Sequence, residues 1–72
     1  MSSFKLLQKV CRLIIARDPS ARDQVFDILN LCIEEMDDTS ESNAVSLAFS
    51  ELEELLSVST VEKFVSQALI NA

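Results

Sequence analysis

Covalent chemistry in this chain would have to start from sulfur or from carboxylate, because its 72 residues contain no histidine. A nucleophilic Ser or Cys needs a base beside it, and imidazole is the usual one. The two thiols, Cys11 and Cys32, each sit among apolar residues at helical spacing. Free Cys in that setting behaves as a small buried hydrophobe, and a buried thiol is inert. Two Cys without His also fall short of the four ligands of a structural zinc site. The expectation is two reduced core cysteines in a reducing compartment rather than a disulfide or a redox pair.

Carboxylates cluster in two places. Glu34-Glu35 and Asp37-Asp38, with Glu41 beyond, offer several oxygens of the kind a hard divalent cation takes. The glycine that a calcium loop places at its sharp turn is missing, since the chain has no Gly at all. Acids at a helix start also favour the helix dipole, so a solvated inter-helix loop is the expected reading. Glu51, Glu53 and Glu54 read as a solvated helix face, with mimicry of nucleic-acid phosphates as the alternative use. The absence of Gly removes every Gly-rich phosphate loop. No catalytic, metal-ligating or cofactor-binding residues are assigned, no small-molecule substrate is evident, and a non-enzyme is expected.

The third constellation is basic. Lys5, Lys9 and Arg12 fall on one face of the first helical pattern, with Arg17 and Arg22 beyond. Residues 1–22 carry five cations against one acid, a net +4, while residues 23–72 carry one cation against eleven acids, a net −10. A basic face can take phosphates in a salt-dependent way. Here no aromatic is interleaved for base stacking, and the later helices are acidic where a recognition helix would be polar or basic. A nucleic-acid-linked regulator is therefore the second reading. The first is a basic helix lying against acidic neighbours, or against an acidic neighbour in a second chain.

The elements that would position these residues are all helical. One Pro and no Gly argue against a turn-rich β fold. The first helix spans about Ser3 to Arg17, with Phe4, Leu6, Leu7, Val10, Cys11, Leu13, Ile14 and Ile15 on an arc wider than one core contact requires. Asp18-Pro19-Ser20 ends it and starts the second, Asp18 as cap and Pro19 at the first helical position, with Ser20-Ala21-Arg22-Asp23 as a competing capping box two residues later. Val25, Ile28, Leu29, Cys32 and Met36 form the inner stripe of the second helix, widened by Phe26 and Ile33. Asp23, Asp27, Asn30 and Glu34 form its outer stripe, and Leu31 sits near that polar side. Asp38, or slightly later Ser42 or Asn43, is expected to cap a third helix carrying Ala44, Val45, Ala48, Phe49, Leu52, Leu55 and Leu56 inward, with Leu47 flanking. Ser59 to Glu62 fits a capping box for a fourth helix with Val61, Phe64, Val65, Ala68 and Leu69 as its stripe. Residues 57–60 either break the third helix or only kink it.

The predicted fold is therefore all-α: a single domain over residues 1–72, three to four antiparallel helices in a small bundle completed by dimerisation. A chain this short buries only about 60% of its unfolded surface, yet 49% of its residues are hydrophobic. Phe4, Leu7, Leu13, Ile14, Phe26 and Ile33 are the candidate protein interface, as surplus over what one copy can hide; Lys5, Lys9 and Arg12 are the candidate basic face. No run of residues reaches the ~18 apolar positions of a membrane span, and the first residues do not read as a signal peptide. A cytoplasmic, non-enzymatic protein-interaction module is expected, as a small adaptor, regulator or chaperone-like protein. Its first partner would be a second copy of itself in a homodimer.

Overall fold

The computed structural model describes residues 2–70, and of the expected three to four helices four are present among them: α1 Ser3–Arg17, α2 Arg22–Glu35, α3 Glu41–Leu56 and α4 Val58–Ile70. No strand occurs among the described residues. A 3₁₀ turn, Pro19–Ala21, joins α1 to α2.

The boundaries follow from local chemistry. Ser2 caps α1 by accepting the Lys5 N–H at 3.2 Å. The Asp18 carboxylate accepts both the N–H and the hydroxyl of Ser20, and its own N–H closes α1 on the Ile14 carbonyl. With Pro19 fixed beside it, Asp18 thus ends one helix and turns the chain toward the next. The cap of α3 is Ser40, whose hydroxyl accepts the Asn43 N–H at 3.2 Å, and not Asp38, Ser42 or Asn43. Asp37 and Asp38 instead complete a turn on the carbonyls of Glu34 and Glu35.

The junction after α3 is a break, made by a single residue. Ser57 has φ 134° and ψ 158°, a region that a side chain disfavours. Its hydroxyl accepts the Thr60 N–H at 3.2 Å and so caps α4, two residues earlier than a cap at Ser59. Positive φ lets the chain reverse without a longer loop.

Sequential helices are antiparallel neighbours. The start of α2 (Gln24, Asp27) shares a cleft with the end of α3 (Glu54, Leu55), and the end of α2 (Leu31, Glu35) with its start (Ala44, Leu47). α1 and α3 consequently run parallel, with Ser3 meeting Glu41 at one end and Ile14 sharing a cleft with Leu56 at the other. α1 contacts α2, α3 and α4, whereas α2 and α4 do not touch each other. The broad apolar arc of α1 has its cause here. Leu7, Val10, Cys11 and Ile14 sit at i, i+3, i+4, i+7 and are sealed from solvent by neighbours on three sides. Val25, Ile28, Val45 and Leu52 close the core against them.

Candidate protein-binding surface

The six residues expected to form an interface separate into three groups. Leu7 and Ile14 are fully buried in the core of the single chain, so they leave the candidate surface. Their removal has a simple cause: α2, α3 and α4 all pack against α1 and together close over its arc. Phe4 and Leu13 are half-buried and pack against the core edge. Phe26 and Ile33 are exposed, at 42% and 51%.

Phe26 and Ile33 lie two turns apart on the flank of α2 that faces α1. Phe26 lines a groove together with Gln8, Arg12, Ile15, Ala16 and Leu29, with Cys11 at its floor. The Arg22 guanidinium sits over the Phe26 ring, 5.4 Å from its centroid. A cation at that distance is attracted by the ring's quadrupole. The rim of this groove is basic.

On the opposite flank of α2 lies a second groove, which the sequence alone does not assemble. Leu31 on α2 and Leu47 on α3 stand either side of it, 52% and 55% exposed. Each leucine is visible in the sequence as an apolar residue off its helix's inner stripe. That they face each other depends on the register of α2 against α3, which no residue type signals.

Lys5 and Arg12 are exposed and Lys9 is half-buried, along one edge of α1. Because α1 is packed on three sides, this basic face is a narrow strip on a central helix.

Both thiols are buried and unpaired. Burial, reinforced by the nearby Cys32, pushes the Cys11 thiol up to about 12. Burial and the Glu41 carboxylate push Cys32 upward as well. Both are therefore protonated, neutral core side chains at physiological pH. No three Cys, Asp or Glu side chains converge as a metal-ligand set among the described residues. None of the described helices is long and apolar enough to cross a membrane.

The fold and this surface define a small all-α bundle with apolar residues displayed on both flanks of its second helix. Compared with known proteins, the chain matches no family model, no curated protein and no solved structure.

Proposed function

We propose that this protein is a cytoplasmic, non-enzymatic protein-interaction module that self-associates through the α1–α2 face. The observation that carries the reading is the pair Phe26 and Ile33, large apolar side chains left exposed although the chain is fully compact. The Cα radius of gyration is 11.3 Å, against about 11 Å for a compact chain of this length. A loose fold is therefore not the reason they are exposed. Two reduced, buried thiols suit a reducing compartment.

Self-association has a natural register. In a two-fold pairing residue i meets residue j, and j meets i. An antiparallel packing of α2 on α2 that sets Phe26 against Ile33 of a second copy also sets Ile33 against its Phe26. The same register brings Arg22 beside Asp37 of the second copy, opposite in charge. Contacts of this kind cover the two most exposed apolar side chains on that flank, at about 1 kcal/mol for each half-exposed side chain removed from water.

Static light scattering across micromolar to millimolar concentration tests this. A dimer is expected for the native chain and a monomer of unchanged helicity for Phe26→Glu with Ile33→Glu. A native chain that stays monomeric throughout that range would reject self-association.

A further inference from the structure

The groove between α2 and α3 is separate from the α1–α2 face and differs from it in charge. Its floor is built from Ile28, Cys32, Ala44 and Ala48, all buried. Ala44 and Ala48 are one turn apart on α3, so nothing larger than a methyl group stands between the backbone and an incoming element. Leu31 and Leu47 form the walls. Glu35 and Glu51 form the rim, and the groove runs past Ile28 into a cleft lined by Asp27, Glu51 and Glu54. No lysine or arginine lines either stretch.

We infer that this groove docks a basic amphipathic α-helix from a partner protein. The inference rests on reading the chain as an interaction module, and it names the partner's chemistry. An amphipathic helix seats apolar residues at i, i+3 or i+4, and i+7 in an apolar groove. The small floor admits it closely, and Leu31 and Leu47 clasp its sides. Lysine or arginine flanking its apolar stripe meets the carboxylates along both edges. Electrostatic complementarity of this kind selects the partner and speeds encounter. A second copy does not supply such a helix. The one basic helix of this chain is α1, and its apolar residues Leu7, Val10, Cys11 and Ile14 are committed to its own core.

The test uses a fluorescently labelled Leu/Lys peptide, long enough at about 15–18 residues to form a helix, and the same pattern built from Leu and Glu. Fluorescence anisotropy on the full chain should show binding of the Leu/Lys peptide only, weakening as salt rises. Leu47→Lys, and separately Glu35→Lys with Glu51→Lys, should each reduce affinity by about tenfold or more, a change of about 1.4 kcal/mol. Asp23→Lys with Glu62→Lys alters net charge equally but away from the groove, and should change affinity less than about threefold. Amide chemical shifts should move on the facing sides of α2 and α3. Equal weakening by the groove pair and the distant pair overturns the proposal in favour of general charge attraction, and so do shifts centred on α4 or no binding at all. The Phe26→Glu, Ile33→Glu chain keeps the two readings distinct: it should bind the peptide as the native chain does. If Leu47→Lys abolishes self-association where Phe26→Glu does not, the groove belongs to a second copy and the proposal falls.

Discussion

The Glu41 carboxylate accepts the Ser3 hydroxyl at 2.9 Å and so joins the first residue of α3 to the first residue of α1. The same oxygen accepts the Phe4 N–H at 3.3 Å. That N–H is one of the helix-start donors that lack an intrahelical acceptor. Glu41 therefore serves as a cap for a helix far from it in the chain, and it registers two parallel neighbours at their starts. Glu41→Ala should lower stability by about 1 kcal/mol. The urea midpoint should fall with the slope unchanged. Glu41→Gln keeps an acceptor and should lose less. Coincident unfolding curves for the native chain and Glu41→Ala would show that the bridge contributes nothing.

Ser57 makes an opposite pair of predictions at one position. Its φ of 134° places it where a side chain costs about 1–3 kcal/mol, while its hydroxyl caps α4. Glycine relieves the strain and loses only a few tenths as a cap. Ser57→Gly should thus raise stability by about 1 kcal/mol, or roughly 4–8 °C in Tm for a domain of this size. Ser57→Ala keeps the strain and deletes the cap, and should lower stability by a similar amount. Calorimetry of the two variants decides it; a Gly variant that melts lower would place the strain elsewhere.

Alkaline pH should unfold the chain through its core thiols. Cys11 is raised from 9.0 to about 12 in the folded state. Its contribution is complete below pH 9, where the thiol is protonated folded or unfolded. It is lost as pH rises from 9 toward 12, because only the unfolded chain releases the proton freely. Urea midpoints measured from pH 7 to 11 should fall above pH 9. Cys11→Ala should start lower, through the cavity it leaves, and fall less steeply. Parallel pH profiles would remove Cys11 as the cause.

Core and surface membership of the apolar residues can be separated by truncation. Leu7→Ala should cost about 2–5 kcal/mol and Phe26→Ala within about 0.5 kcal/mol in the monomer. Chemical denaturation at low protein concentration, where association does not contribute, is the measurement. Similar losses at both positions would contradict the burial of the one and the exposure of the other.

The helices themselves were legible because their evidence is local. Pro19 after Asp18, the 3.6-residue spacing of Val25, Ile28 and Cys32, and the polar break at residues 37–43 each act within a turn or two. What periodicity could not distribute was the arc of α1. Leu7 and Phe4 look alike in the sequence, and so do Ile14 and Leu13. Which of each pair is sealed depends on how α2, α3 and α4 close around α1, through contacts between distant parts of the chain. The cap of α3 was misplaced for a related reason. Asp38 and Ser40 are both competent, and the turn on the Glu34 and Glu35 carbonyls consumes the first. The acidic-rimmed groove was hidden in register, because Leu31 and Leu47 each read as an isolated leucine. The break at residues 57–60 was signalled, but not Ser57 as the residue that makes it, since the conformation it adopts is one that glycine normally marks.

The central position of α1 also sets an order of events during synthesis. Of the four described helices it is made before the others, and two of its three neighbours, α3 and α4, arrive only later. At ~5–20 residues per second, roughly 3–10 s separate its completion from that of α4. For those seconds Leu7, Val10 and Ile14 have no lasting cover, and the nascent chain depends on transient shelter or on the α1–α2 hairpin alone. A circularly permuted chain opened between α1 and α2, so that α1 is made last, would spare it that interval at the cost of the Asp18–Ser20 turn.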